Sequence, residues 1–272
     1  MSSRRWFTIL VAVVLAGGCG QTAQSPSSTP AMSEVAAAPT APASPTPSPL
    51  PPAPSSAAPS FALGSGPVDP ANFTATVDNP WFPLIPGTVF TSKGETEDGK
   101  ATDVFTVTRD TKVVDGVTCV IVDDRGIIDG VLEERTYDYY AQDLAGNVWY
   151  FGEDTQELDA KGKVTSTEGT WHAGIDGAVP GIYMEADPVV GHTYRQEFYK
   201  GHAEDQYIVK DLAATITVPY GAYTDVLLTE EWTVLEPGVL DHKYYVKGLG
   251  QVMEVAVKGP TEKLELTKVV RP

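Results

Sequence analysis

Across residues 66–272 the hydrophobic positions recur at every second residue, not at every third or fourth. In residues 226–234, Val226, Leu228, Trp232 and Val234 fall on one face, and Thr229, Glu231 and Thr233 on the other. In residues 251–258, Met253, Val255 and Val257 oppose Glu254 and Lys258. In residues 103–109, Phe105 and Val107 share a face. Successive side chains of a strand point to opposite faces, so this period predicts half-buried β-strands. Between the strand-like runs stand Asp98-Gly99, Asp115-Gly116, Asp129-Gly130, Gly146-Asn147 and Lys161-Gly162, spaced 14 to 17 residues apart. Such pairs close tight hairpins because both residues tolerate positive φ. No stretch carries helical periodicity. A sheet with one apolar face and no helix to cover it must curl on itself or pair with a second sheet. The expected fold is therefore all-β: an antiparallel meander curled into a barrel or half-barrel, with a two-sheet β-sandwich as the alternative.

Residues 169–188 interrupt the rhythm. Their glycines and prolines predict an irregular loop, while Trp171, Ile182 and Met184 predict that it packs onto something, as a structural plug or as a ligand lid.

The first 65 residues follow other rules. Arg4 and Arg5 precede a mostly apolar run and then Leu15-Ala16-Gly17-Gly18-Cys19. Residues 1–18 thus read as an export signal, too short to be a membrane-spanning domain. The run ending at Cys19 resembles the lipobox of bacterial lipoproteins, which implies cleavage before Cys19 and a diacylglyceryl group on its sulfur. Ala16 stands where that pattern prefers a larger aliphatic residue. Ser3-Arg4-Arg5-Trp6-Phe7 also resembles a twin-arginine export signal. Residues 19–65 are dominated by Ser, Thr, Pro and Ala, and cannot bury enough apolar surface to offset their ordering entropy. They read as a disordered stalk, with residues 66–272 as one domain. The expected location is the outer face of the cell membrane, through the lipid anchor.

The chain carries a formal net charge of −17, and the signal and stalk hold only Arg4, Arg5 and Glu34. The acidic charge therefore lies on the folded part. It repels phosphate backbones and anionic headgroups, which argues against nucleic acid and against direct binding to a lipid surface. Besides Cys19 the chain has Cys119, in the apolar run Val117-Thr118-Cys119-Val120-Ile121-Val122, where it reads as a buried free thiol.

Asn79-Pro80-Trp81-Phe82-Pro83-Leu84-Ile85-Pro86-Gly87-Thr88, Tyr139-Tyr140-Ala141-Gln142-Asp143 and Gly146-Asn147-Val148-Trp149-Tyr150-Phe151-Gly152-Glu153, with Glu236-Pro237-Gly238, resemble a family of uncharacterised secreted bacterial proteins and lipoproteins. The resemblance runs from about residue 78 to 257 and implies an exported β-rich domain. It supplies no activity and no site residue.

No zincin His-Glu-x-x-His pair and no Gly-x-Ser-x-Gly elbow occurs. His202 and Glu204 could share a strand face, though a solvated turn explains them as well. Asp143, Asn147, Glu153 and Asp154 surround one hairpin and are the candidate oxygen ligands for a metal, without the EF-hand spacing. Glu230 lies on the apolar alternation face between Leu228 and Trp232, where it needs a partner or a raised pKa. Aromatic residues are the richest feature, and Trp149, Phe151 and Trp232, with Trp171 on the loop, are the candidate lining of a ligand pocket. The expected function is non-enzymatic binding of an apolar or amphipathic small molecule or lipid. The competing readings are a metal-assisted hydrolase and an envelope assembly or interaction protein. No cofactor is indicated.

Overall fold

The computed structural model describes residues 68–272. The signal segment, Cys19 and the stalk to residue 65 lie outside the described residues. A single 3-10 turn, Pro70–Asn72, precedes the strands β1 (Phe73–Thr74), β2 (Val89–Thr96), β3 (Gly99–Val114), β4 (Val117–Ile128), β5 (Val131–Asp143), β6 (Val148–Leu158), β7 (Val164–Ser166) and β8 (Trp171–His172). These are followed by β9 (Val179–Met184), β10 (Thr193–Arg195), β11 (Glu197–Phe198), β12 (Asp205–Val218), β13 (Gly221–Thr233), β14 (Leu240–Val246), β15 (Gly250–Lys258) and β16 (Glu262–Val270).

The named strands pair antiparallel along the path β10-β12-β13-β14-β15-β16-β2-β3-β4-β5-β6-β9-β11. Its two ends, β10 and β11, are consecutive in the chain and separated by Gln196 alone. β10 pairs with β12, β11 pairs with β9, and the Gln196 N–H donates to the Asp205 carbonyl at 2.8 Å. One short segment thus spans both free edges. The sheet is a nearly closed barrel, not a sandwich, and closure removes the exposed edges that would otherwise template aggregation.

The expected hairpins form where the turn pairs stand. Asp115 and Gly116 adopt φ of 45° and 78°, and Asp129 and Gly130 adopt 46° and 85°. Positive φ at both central residues matches the right-handed twist of the flanking strands.

Residues 169–188 are a correction. They contribute two wall strands joined by turns, with Trp171, Ile182 and Met184 buried as expected: β8 pairs with the middle of β6, and β9 pairs with its start. Two glycines mark close backbone approach, Gly181 in this segment and Gly152 on β6. A Cβ on Gly152, which has φ +129°, would sit 2.2 Å from the Trp171 carbonyl oxygen, and one on Gly181 would sit 2.3 Å from that of Arg195.

The inward faces hold a second correction. On β13 Val226 of the expected face is buried, but so are Leu227, Thr229 and Glu231 next to it, while Leu228, Glu230 and Trp232 are half-buried and Val234 beyond the strand is exposed. On β15 Val252 and Glu254 are buried, and Val257 is exposed. Alternation alone would have turned the opposite faces inward. The more polar faces point in because this side of the barrel surrounds an acidic cavity. On β3 the expected inward face holds, with Val107 fully buried.

The main apolar core lies between β3–β6 and an N-terminal segment that crosses one end of the barrel, between the β5–β6 and β14–β15 turns. Val77, Trp81, Phe82 and Leu84 pack there with Val107, Val120, Val122, Tyr140 and Phe151. Asn79 anchors the segment: its Nδ2 donates to the carbonyls of Gly146 and Glu185, and its Oδ1 accepts from the Trp81 and Phe82 amides. Gln142 Oε1 accepts from the amides of Asp78 and Asn79. Three of the quoted sequence motifs therefore meet at one place. Directly after Asn79 the Gly248 N–H donates to the Pro80 carbonyl, and the Lys247 ammonium lies 4.7 Å above the Trp81 ring.

Candidate functional site

A cavity of about 170 Å³ lies inside the barrel. Part of its wall is apolar: Phe82 and Leu84 from the crossing segment, Phe90 from β2, Phe105 from β3 and Leu249 before β15. Phe82 anchors this part through ring contacts with Phe105, Tyr140 and Tyr183 at centroid distances of 6.0, 5.4 and 4.7 Å. The rest of the wall is ionisable. Asp103, Asp124, Asp138, Asp205, Glu231 and Glu254 line it from six different strands, and Lys243 on β14 is the only basic lining residue. Glu236, Asp241 and Glu262 add further acidity.

The carboxylates divide into satisfied and unsatisfied groups. Lys243 Nζ is 2.9 Å from Glu231 and 3.7 Å from Glu254. The hydroxyl of Thr229 donates to Glu231 at 2.9 Å, and Gln251 Nε2 donates to Glu254 at 3.0 Å. Burial disfavours the charged ammonium, but the charges of Glu231 and Glu254 outweigh it and hold the Lys243 pKa well above its ordinary value. Burial is also the main cause that raises the Glu254 carboxyl to about 8, against the lowering by Lys243. Asp138 accepts from the Tyr150 hydroxyl at 2.8 Å, yet burial and then the charge of Asp124 raise it to about 8.

Asp103, Asp124 and Asp205 each keep one solvent-excluded carboxyl oxygen that no N–H or O–H reaches. Asp103 and Asp124 lie on neighbouring strands and face each other. Burial first, then the Asp124 charge and the hydrogen bond between the two carboxyls, hold Asp103 well above the usual carboxylate range. Burial raises Asp124 too, and the hydrogen bond from Asp103 opposes it. Two buried carboxyls so placed disfavour a second charge, and a single proton can serve both. Burial raises Asp205 to about 8, against the lowering by the Thr233 hydroxyl and Lys243.

The aromatic residues expected to form a pocket do not converge on one. Phe151 is fully buried and Trp171 is 3% exposed, both in the packed core. Phe151 meets Phe73 edge-on at 5.3 Å, and Trp171 meets Tyr150 at 5.6 Å. Trp149 packs against this core and donates from Nε1 to Asp143 at 2.8 Å. Trp232 alone of the four borders the cavity.

The four candidate metal ligands also separate. Asp143 organises its own turn, accepting from the amides of Ala145 and Asn147 and from Asn147 Nδ2, while Asn147 Oδ1 accepts from the Ala186 amide. Glu153 is buried inside the barrel with one oxygen unpartnered. Asp154 points to the other face, where it meets Lys112 at 2.9 Å, His172 at 3.0 Å and the Tyr139 hydroxyl. Burial raises its pKa, but hydrogen bonds from Lys112 and Tyr139 and the charges of Lys112 and His172 win and lower it. Among the described residues no group of three or more His, Cys, Asp or Glu is placed to hold a metal ion.

Glu230 finds partners, with His242 Nε2 and Lys210 Nζ both at 3.1 Å. Their hydrogen bonds and charges overcome the penalty of burial and lower its pKa. Glu204 accepts from the Gly201 amide and His202 stacks on Tyr199 at 4.2 Å, which is a turn. Cys119 is fully buried, and burial pushes its thiol up to about 12, against lowering by Val114 and Lys112.

Comparison with known proteins adds little. No protein-family model matches the chain, and no curated protein matches it. Among solved structures, one described as an exported protein with a YmcC-like fold from Bacteroides fragilis NCTC 9343 is 16% identical, with a TM-score of 0.39 over 70% of this chain and 99% of that one. Another, described as a lipoprotein from Parabacteroides distasonis ATCC 8503, is 12% identical, with a TM-score of 0.38 over 71% and 100% of the two chains. At these scores neither likeness says anything of ligand or activity.

Proposed function

We propose that this chain is a lipid-anchored protein of the cell envelope whose barrel is a non-enzymatic receptacle for an amphipathic small molecule. The observation that carries the reading is the cavity: one part of its wall is Phe82, Leu84, Phe90, Phe105 and Leu249, and the other is ionisable. A wholly apolar ligand fits such a wall poorly, because it would leave buried carboxyls without partners. A molecule with an apolar body and a polar end satisfies both parts. The anchor rests on the lipobox-like run ending at Cys19 and on the Pro-rich stalk that follows it.

Two measurements test the two halves. Cys19→Ala should move the protein from the membrane to the soluble fraction, since the acidic domain has no membrane affinity of its own. Equal membrane retention of the variant defeats the anchor. Protein purified from its native host should release a stoichiometric small molecule on organic extraction, identified by mass spectrometry. A preparation with no such molecule, and no binding by any amphipathic compound in a screen, defeats the receptacle.

A further inference from the structure

The acid-lined part of the cavity defines the ligand more narrowly, on the reading that the cavity is a binding site. Around the barrel, β3 and β12 stand six strands apart in either direction, counting the Thr193–Phe198 segment as one position. Asp103 on β3, with Asp124 beside it, therefore lies on the wall opposite Asp205 on β12. All three line the cavity, and each keeps a buried oxygen with no donor. Buried carboxyls are normally paired or hydrogen-bonded, so two orphaned sets facing one space call for donors from outside the chain. Between them the wall is aromatic, with Tyr140, Tyr150 and Phe105 lining the same space. Such a surface packs methylene groups and attracts cations to its ring faces.

We propose that the cavity binds a linear di- or polyamine, one ammonium held by the Asp103–Asp124 pair and another by Asp205 across the barrel. Each ammonium brings three N–H donors and no acceptor, which is what the orphaned oxygens lack. The Lys243 ammonium shows the same arrangement built from the chain itself, clamped between Glu231 and Glu254. A dication also fits better than a metal ion, because the acids are spread over opposite walls and not gathered round one point.

Binding is coupled to proton release. Burial first, and then the facing Asp124, with Glu254 and Asp138 adding like charge, raises the Asp103 carboxyl well above the usual carboxylate range. Asp205 is faced by Thr233, Lys243, Glu231 and Glu236, and by the buried Glu197 of β11, and is raised to about 8 by burial. An ammonium placed against either group favours the carboxylate and expels the proton. The amine therefore binds more tightly as pH rises from 6 to 8, by about tenfold per pH unit for each proton released.

The test is calorimetric titration of the full chain in detergent with 1,4-diaminobutane, spermidine and n-butylamine at pH 6, 7 and 8. The expected result is one site per chain, with the triamine at least about tenfold tighter than the monoamine and the short diamine no tighter than the triamine, since a second ammonium on a longer chain is what the opposite wall takes up. Asp205→Asn, which keeps the shape of the protonated side chain, should abolish that preference while its thermal melt stays within a few degrees of the parent. A second variant, Asp103→Asn, should do the same from the other wall. No heat with any amine overturns the proposal, as does equal affinity for mono- and triamine, or affinity that falls as pH rises. Mass spectrometry of protein from its native host separates the two readings. An amine supports both, a neutral amphiphile overturns the amine and keeps the receptacle, and an empty barrel that binds neither overturns both.

Discussion

Two aromatic residues on the barrel separate packing from lining. Phe151 is fully buried against Phe73, so its ring fills core volume. Phe151→Ala should destabilise the domain by roughly 3–5 kcal/mol, the transfer of the ring plus the cavity it leaves. Trp232 is half-buried and borders a space that is already open, so its removal creates less new void. Trp232→Ala should cost less than half as much. Denaturant melts of both variants decide the matter, and equal losses would show that Trp232 is core. The sequence could not make this distinction. Phe151 and Trp232 both stand on apolar alternation faces, but alternation reports which residues share a face and not which face points in. The buried side of β13 carries Glu231, and no local pattern marks a carboxylate that pairs with Lys243, twelve residues along the chain.

At the level of elements, the turns were legible and the closure was not. Asp115-Gly116 and Asp129-Gly130 specify their hairpins through two adjacent residues, which is information a sequence holds locally. Barrel closure depends on β10 and β11, three and two residues long, meeting strands far from them in the chain. Strands that short carry almost no period. The glycines of residues 169–188 were visible but ambiguous, since flexible loops and close backbone contacts use the same residue. Gly181 decides for close contact within the segment, since a Cβ there would stand 2.3 Å from the Arg195 carbonyl oxygen, and Gly152 of β6, with φ +129°, leaves the same room for the Trp171 carbonyl of β8. Gly152→Ala should therefore cost roughly 1–3 kcal/mol from the backbone conformation alone, with the clash in addition. Hydrogen exchange should show protection lost first at the amides of β8, and unchanged exchange there would mean that β6 and β8 pair without needing the glycine.

For the whole molecule, the interior acids set how stability depends on pH. Asp138, Asp205 and Glu254 are each raised to about 8, first by burial, and burial also raises Asp103, Glu134, Glu153 and Glu197 well above the ordinary range. In the unfolded chain these groups titrate near the ordinary carboxylate value of about 4. Between about pH 4 and 8 the folded protein thus binds more protons than the unfolded one, and stability falls as pH rises. The contribution of these groups is fully present below the unfolded pKa and is lost as pH climbs through the folded one. Asp123, Asp154 and Glu230 act in the opposite sense. Each is held below its ordinary value by partners that outweigh burial: Arg135 and Arg125 for Asp123, Lys112 and Tyr139 for Asp154, and His242 and Lys210 for Glu230. Their contribution is present above the ordinary carboxylate value and is lost as pH falls below about 4. Asp154 and Glu230 are partly exposed and screened by solvent, Asp123 is buried against its two arginines, and all three govern only the acid limb. The melting temperature of the ligand-free protein should therefore peak near pH 5 and decline steadily to pH 8.5, a range in which loss of charge from the His172–Asp154, His192–Glu185 and His242–Glu230 pairs acts in the same direction. Calorimetric melts across that range test the sign. A melting temperature that rises from pH 5 to 8.5 would mean that the interior carboxyls fold ionised, with cations already supplied to them. Adding a saturating diamine should flatten the decline at its alkaline end, because an ammonium against each carboxylate removes the penalty that burial imposes on its charge.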